Sequence, residues 1–419
     1  MGTVGTGVVK VLKRNESLWV KKCGSRIHIK KILVRNINKD RGFDLSPEVF
    51  TTDWQDIVND PEIKVVIELM GRIEPARTYV LEALKKGKNV VTANKDLLAE
   101  YGEELFEAAK KAQKDIYFEA SVGGGMPIIS PLKESLIANN IQEVMGIVNG
   151  TTNFVLTSMS KEGISFNDAL KTAQKLGYAE ADPTADIEGL DAARKIAILA
   201  SIAFHTRVKF CDVYVEGISK ITNEDIEYAK ELGYAIKLIG IGREEDNEVE
   251  VRVHPALIPI THPLSIVDGS FNAIFVKGDA IGETMFYGPG AGQMETASAV
   301  VGDIIRVIKN INMNSVGNAV CTCYDNKAIK SMDNVYTSYF LRLCVIDRPG
   351  VLAGITGVFA ERGVSLASVV QKNYMKDTAD LVVITHRVRE KDIQDSLEII
   401  KKMSTTKEIV SMIRVEGME

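Results

Sequence analysis

The chain has 419 residues, 45% hydrophobic and 26% charged, with a formal net charge of −5 at pH 7. That length and balance suggest a globular protein of two or three domains. The slight acidity, with no basic or aromatic patch, argues against nucleic acid, and no apolar run approaches the ~20 residues that span a bilayer. No signal peptide is visible, and cysteines at 23, 211, 321, 323 and 344 lack framework spacing, so the expectation is free thiols in a cytoplasmic protein.

The opening MGTVGTGVVK places Gly2 and Gly5 where the second and third glycines of a GxGxxG phosphate loop would stand, with Thr3 and Val4 between them. The first glycine and the strand before it are missing from that pattern. A gap in the central sheet, or poorly ordered residues 1–6, is therefore expected; the alternative is a flexible glycine-rich terminus. The runs ILV (32–34), KVVIEL (64–69), NVVT (89–92) and IYFEASV (116–122) are short and β-branched, as buried parallel strands are. Amphipathic segments such as EPARTYVLEALKKG separate them, and this alternation predicts a doubly wound, Rossmann-like α/β domain over 1–127. Val34-Arg35-Asn36 ends the second strand, and Lys39 and Arg41 follow. Enzymes that use NAD commonly place a carboxylate there, so Asn36 among cations favours NADP, with NAD as the alternative; the bland reading is a solvent-facing cluster. Lys95 follows the NVVT strand at its carboxyl end, where open α/β sheets bind ligands, although the spacing suits a solvated lysine equally well. Glycines 123–125 would let a ligand approach the backbone closely, or would simply make a βα turn.

Residues 128–290 predict an α+β domain. Helices are expected near 128–139, 151–161, 166–176 and 190–206, then strands near 213–218, 234–242, 248–258, 271–278 and 281–287. The segment YAEADPTADIEGLDAARK (178–195) holds Glu180, Asp182, Asp186, Glu188 and Asp191 and runs into an apolar helix. Asp191 and Lys195, at i and i+4, share a helical face. On so apolar a helix that face suits a cleft for a substrate bearing an ammonium group; the competing reading is a surface salt bridge. Glycines 288, 290 and 292 make a loop, and a helix is expected over about 294–310. Residues 316–335 read as a connector, with Cys321 and Cys323 as alternate residues on one face of a strand; no nearby His or second Cys pair completes a metal site. Residues 336–418 give strand, helix, strand, strand, helix, strand, the ferredoxin-like βαββαβ layout.

TANK (92–95), EASVGGGMP (119–127), GIVNGTTN (146–153), the acidic segment 178–195 and GPGAGQMETASAVVGD (288–303) resemble homoserine dehydrogenase, in order and over nearly all of residues 1–320. That family interconverts L-homoserine and L-aspartate 4-semialdehyde with NAD(P). The resemblance implies proton work for Lys195 beside Asp191, with Lys95 as a second catalytic candidate. It implies that Glu180 and Asp186 hold the substrate ammonium, and that Tyr178, Gly150 and Thr151 bind its carboxylate or amino end. Thr92 and Gly290 would join Gly2, Thr3, Val4, Gly5, Arg35, Asn36 and Lys95 at the cofactor. A monovalent cation, Na or K, would be held by main-chain carbonyls of Glu119, Val122, Gly124 and Met126. The helix after 290 would return to the nucleotide domain, so 291–315 joins 1–127, leaving 128–290 for substrate binding and dimerisation. One departure is Glu295, where the family commonly has proline; a carboxylate near a cofactor phosphate is unfavourable, so either Glu295 points away or the helix starts differently.

The stretch IDRPGVLAGITGVFAERGVSLASVVQ resembles an ACT domain, an amino-acid-sensing module. It implies a regulatory domain over 336–419, a ligand at the turn Asp347, Arg348, Pro349 and Gly350, and edge-to-edge pairing in a homodimer or homotetramer. Threonine is the effector expected first, giving feedback on threonine, methionine and isoleucine biosynthesis; the alternative is a purely structural module. Deleting 336–419 is expected to leave an active enzyme that no longer responds. Two rivals are weaker. An aldehyde-oxidising semialdehyde dehydrogenase needs a thiolate on an active-site loop, where no cysteine is expected. A non-catalytic sensor would not need Lys195, Asp191, Glu180 and Lys95 intact.

Overall fold

Helix Thr3–Arg14 opens the chain and lays Val8 and Leu12 against Ala297, Val300, Val301 and Ile304 of helix Gln293–Asn312. A side chain at Gly7 would collide with the Gln293 carbonyl, so only glycine allows this approach. The computed structural model describes residues 1–39, 45–318, 321–375 and 377–417; Arg41 lies outside them. They form two compact units: Met1–Val144 with Arg194–Asp212 and Val276–Asn326, and Met145–Ala193 with Val213–Phe275 and Lys327–Glu419.

In the first unit, Val65–Glu68, Asn89–Thr92 and Ile116–Tyr117 form a parallel sheet, and every residue of the middle strand is buried. Helices Ala76–Lys85 and Lys95–Ala112 make the crossovers, as a Rossmann-like α/β domain requires. Ile32–Leu33 and Phe50–Thr51 pair separately, so the described strands form two sheets rather than one. Residues 3–6 are helical, not loose.

Two expected elements are shorter than the pattern suggested. The strand over 116–122 stops at Tyr117, and the chain turns at Glu119–Ser121. The cause is polar: the Glu119 carboxylate accepts the N–H groups of Ile128, Ile129 and Ser130 at 2.6, 2.8 and 2.8 Å, while its own N–H donates to Asp303 at 2.8 Å. The helix expected at 128–139 includes a wide turn, Pro131–Ser135, whose proline brings no N–H of its own.

The second unit is built on a sheet ordered Phe271–Gly278, Ile141–Ile147, Tyr234–Glu245, Glu248–Pro259, Thr406–Val415, Tyr336–Ile346, Thr378–Thr385, Leu366–Met375. Its long hairpin turns at Asp246-Asn247, with φ 52° and 63°, a two-residue connection suited to strand twist. Strand Ile141–Ile147 and helix Asn223–Glu231 are additional to the sequence reading. Residues 336–415 show the ACT layout, with the first strand between the last and the third. Tyr339, Leu341 and Leu343 pack on Ile355, Phe359, Ile393 and Leu397 of the two helices.

The C-terminal βαββαβ domain is not a detachable appendage. Its last strand pairs in parallel with Glu248–Pro259, matching Arg414 to Ala256 and Val415 to Leu257. Buried Glu416 then holds Arg252 at 2.5 Å, and Arg414 bonds Glu390 at 2.7 and 2.9 Å and Glu216 at 2.9 Å. Deleting 336–419 would remove Glu416 from Arg252, leaving Glu250 at 3.1 Å as its carboxylate, and would unpair the strand at Ala256 and Leu257. The deletion therefore removes one buried ion pair as well as any effector site, and the stability of the shortened chain is to be measured beside its activity. The expected strand at Cys321–Cys323 is corrected, since both lie in irregular chain ahead of the short strand Ala328–Ile329. Among the described residues, no helix is long and apolar enough to cross a membrane.

Candidate functional site

In the first unit, Lys95 is the first residue of its helix, directly beyond the carboxyl end of strand Asn89–Thr92. Asn94 caps the helix, its Oδ1 accepting Leu97 N–H at 3.1 Å while its Nδ2 donates to the Arg72 carbonyl at 2.7 Å. The Thr92 hydroxyl donates to Glu68 at 2.6 Å and accepts Asn94 N–H at 3.0 Å, so it braces the loop. Beside Lys95, Asp96 pairs with Arg194 Nε at 2.7 Å, and Arg194 immediately precedes Lys195. This ion pair ties the start of the Lys95 helix to the Lys195 helix.

Asp191 and Lys195 both lie on helix Leu190–Ala203 and are only 6% and 9% exposed. That degree of burial disfavours the surface-pair reading of this face.

The glycine run makes a tight loop with positive φ at Gly123 (72°) and Gly124 (59°). A Cβ on Gly124 would lie 2.5 Å from the Gly290 carbonyl, so a residue suggested for the cation and one suggested for the cofactor meet. Glu119, Val122 and Met126, the other suggested cation residues, are buried around the same loop. Among the described residues, no three His, Cys, Asp or Glu side chains gather as a metal site. Glu295, third in its helix, folds its carboxylate back over Gly292 at the helix start, where the helix dipole favours it. The helix itself starts where expected, and Glu295 faces its own N-terminus.

Gly2 caps the first helix with open space around it, Thr3 and Val4 begin that helix, and Gly5 lies in its first turn. Open first-turn amides are a fit for a dinucleotide phosphate. Arg35 is exposed two residues past strand Ile32–Leu33, and Asn36 accepts the Asn38 N–H at 2.9 Å.

In the second unit the sequence reading missed the central residue, Asn149. It caps helix Gly150–Glu162, and its amide donates to Asp186 at 2.7 Å and Asp191 at 2.8 Å. Thr151 Oγ1 lies 2.6 Å from the Tyr178 carbonyl and 3.0 Å from the other Asp186 oxygen, and its single hydrogen can donate to either. One amide and one hydroxyl thus gather Asp186, Asp191, Thr151 and Tyr178 into a single cluster. Gly150 cannot carry a side chain, since a Cβ would sit 2.7 Å from the Ser270 carbonyl. Glu180 is exposed, and the Tyr178 ring lies 5.0 Å from that of Phe154. Behind the helix, buried Lys237 holds the Val267 carbonyl at 2.6 Å and Asp268 at 3.2 Å, fixing the loop that carries Ser270; desolvation lowers its pKa. The signal for Asn149 was present, because asparagine before Gly-Thr-Thr and a helix is a capping pattern.

The suggested regulatory residues Asp347, Arg348, Pro349 and Gly350 are all exposed between the first ACT strand and helix Val351–Glu361. Asp347 accepts the Gln371 amide at 3.1 Å, and Gly350 has φ 89°.

Three family models match the chain: "Homoserine dehydrogenase, NAD binding domain" over 1–119, "Homoserine dehydrogenase" over 127–305 and "ACT domain" over 339–404. The homoserine dehydrogenase of Bacillus subtilis is 48% identical over 420 residues, covering 100% of this chain and 97% of that protein. That of Corynebacterium glutamicum is 45% identical, covering 99% and 94%. Among solved structures, a Thiobacillus denitrificans homoserine dehydrogenase superposes with TM-score 0.94 at 45% identity, covering 99% of this chain and 96% of that one. The Staphylococcus aureus enzyme at pH 7.5 gives 0.80 at 37%, covering 100% and 97%. A Rossmann-like NAD-binding domain, a catalytic domain and a C-terminal ACT domain define the class, a nicotinamide-dependent oxidoreductase. Within it, the chain belongs to the homoserine dehydrogenase family.

Proposed function

We propose that this chain interconverts L-homoserine and L-aspartate 4-semialdehyde, with NADP preferred over NAD, in the route toward threonine, methionine and isoleucine. The observation that carries the reading is the Asn149 cluster, which sets two carboxylates beside a helix N-terminus on the segment leading to Lys195. Carboxylates suit a substrate ammonium, and helix amides suit a substrate carboxylate. The nicotinamide supplies the hydride chemistry when bound. Asp186 and Glu180 take the ammonium, with Tyr178, Gly150 and Thr151 shaping the amino-acid end. Asp191 favours the charged form of Lys195, which protonates the oxygen of the aldehyde during reduction. Lys95 stands at the carboxyl edge of the sheet as the second cation. Main-chain carbonyls of Glu119, Val122, Gly124 and Met126 would hold a sodium or potassium ion. The working domains are 1–127 with 291–315 for the nucleotide, 128–290 for substrate and dimerisation and 336–419 for regulation, in a cytoplasmic homodimer or homotetramer.

The experiment is turnover with purified protein: NADP reduction on adding L-homoserine. No turnover from a folded protein would favour the non-catalytic sensor.

Exposed Arg35 bears on cofactor choice. Arg35→Ala is expected to weaken NADP by roughly ten-fold or more and to spare NAD, because only NADP offers the 2′-phosphate to a guanidinium. Titrating each cofactor by fluorescence checks this, and equal losses would refute it.

The ACT turn is read as the threonine site. Threonine is expected to inhibit turnover, and Asp347→Ala to raise the half-inhibitory concentration about ten-fold through the loss of a charge-assisted hydrogen bond. A point change keeps Glu416 on Arg252, which the deletion would not. Unchanged kinetics across threonine, methionine, isoleucine and lysine would refute a sensing role.

A further inference from the structure

Away from the residues assigned above, the first unit holds two cysteines beside two cations. Arg207 Nη2 lies 3.1 Å from Cys321 Sγ, and the Cys323 N–H donates to the same sulfur at 3.4 Å. The Cys323 thiol, two residues along the chain from Cys321, donates to the Ser201 carbonyl at 3.5 Å. Arg207 is itself constrained, with its guanidinium 5.8 Å from the Phe106 ring centroid and its Nε buried with no hydrogen-bond partner. Both sulfurs border a small pocket, partly open and walled by Phe106, Phe118, Ile198, Val208, Lys133 and Arg207. Neither cysteine is fully buried, and all five in the chain are free thiols.

We propose that Cys321 and Cys323 form a reversible oxidation site for small hydroperoxides, with Cys321 as the attacking thiolate and Cys323 as the resolving thiol. The Cys321 sulfur attacks one peroxide oxygen, the O–O bond breaks, and the other oxygen leaves as hydroxide or alkoxide. Cys321 is then a sulfenic acid. The Cys323 sulfur attacks the Cys321 sulfur, the S–O bond breaks and water leaves, taking up the Cys323 proton. Two electrons from two thiols reduce one peroxide, and the product is a disulfide.

Geometry assigns the roles. Cys321 receives a guanidinium and a backbone N–H, the environment that favours a thiolate, and Lys133 adds positive charge. Cys323 beside it, the Cys323 N–H and these charges bring the Cys321 thiol down to about 6. Cys323, beside that thiolate and partly desolvated, is held protonated, its pKa pushed up. The pocket wall includes Leu98 and Ala99 of the Lys95 helix and Ile198, Ser201 and Ile202 of the Lys195 helix, yet the proposal does not rest on the reaction assigned above.

Cys211 is an internal comparator, exposed and 3.8 Å from the Asp212 carboxylate. Reduced protein is exposed to a small excess of hydrogen peroxide, quenched with catalase and analysed by peptide mass. The peptide bearing Cys321 and Cys323 is expected to lose two hydrogens, at least about ten-fold faster than Cys211 is modified, and dithiothreitol restores it. In Cys323→Ser, dimedone is expected to label Cys321. Iodoacetamide labelling of Cys321 should be nearly flat above pH 7. Oxidation of Cys321 no faster than Cys211, or no loss of the two hydrogens, overturns the proposal. Arg207→Gln, checked for folding by circular dichroism, is expected to slow Cys321 toward Cys211; an unchanged rate would overturn the role given to Arg207.

Discussion

Lys195→Ala is expected to lower kcat by roughly 10²–10⁴-fold, the range for loss of a positioned proton donor. Cofactor affinity should change little, because Gly2 and Arg35, the residues proposed for phosphate recognition, belong to other elements. Lys195 is 9% exposed on a helix whose neighbouring residues Ile196, Ala197 and Leu199 are fully buried. Removing it therefore also risks stability, and the thermal midpoint must be measured beside kcat. Arg194 still pairs with Asp96 in this variant, so the tie between the two lysine helices persists. Near-native kcat in a folded variant would make Lys195 a structural residue.

The second large effect is on stability. Glu416 is buried against Arg252, with Arg243 and His254 nearby, and it stays ionised despite burial, its pKa brought down to about 2. Its ordinary value is 4.5, so the unfolded chain binds this proton first as pH falls. A depressed carboxylate stabilises the fold above about pH 4.5 and loses that contribution as pH drops through about 2. The contribution is about 3 kcal/mol in order of magnitude. Buried His254 acts in the same direction: desolvation, Arg414 and Arg252 hold it neutral, so it too favours unfolding as pH drops below 6.5. Glu416→Gln is expected to cost about 3 kcal/mol at pH 7 by leaving Glu250 as the carboxylate on Arg252, and to flatten the loss of stability between pH 4.5 and 2. Urea unfolding at several pH values checks both. A shift under ~1 kcal/mol would mean that Glu250 alone balances Arg252.

The parts legible in the sequence were those with local causes. The crossovers around Asn89–Thr92 followed from short β-branched runs between amphipathic segments, and the ACT layout from the alternation after residue 336. Asp191 and Lys195 fell on one helix because their spacing leaves little choice. The parts that escaped depend on distant partners. Nothing near Tyr117 says that the chain will turn; Glu119 does so by gathering amides 9–11 residues on and giving its own N–H to Asp303. The pairing of Arg414 with Ala256 could not be read from either strand alone, and it changes what a deletion of the ACT domain would mean. Asn149 was a capping residue in plain view, but its hold on Asp186 and Asp191 across 37 and 42 residues was not. The CxC resembled a strand because alternation is a strand's signature, yet its setting is fixed by Arg207, more than a hundred residues earlier.

The most direct test of the central claim is to incubate the purified chain with L-aspartate 4-semialdehyde and NADPH and identify the product. Loss of NADPH absorbance matched one to one by L-homoserine, faster than with NADH, is the predicted result. A folded protein that consumes no NADPH, or that oxidises the aldehyde instead of reducing it, would contradict the account.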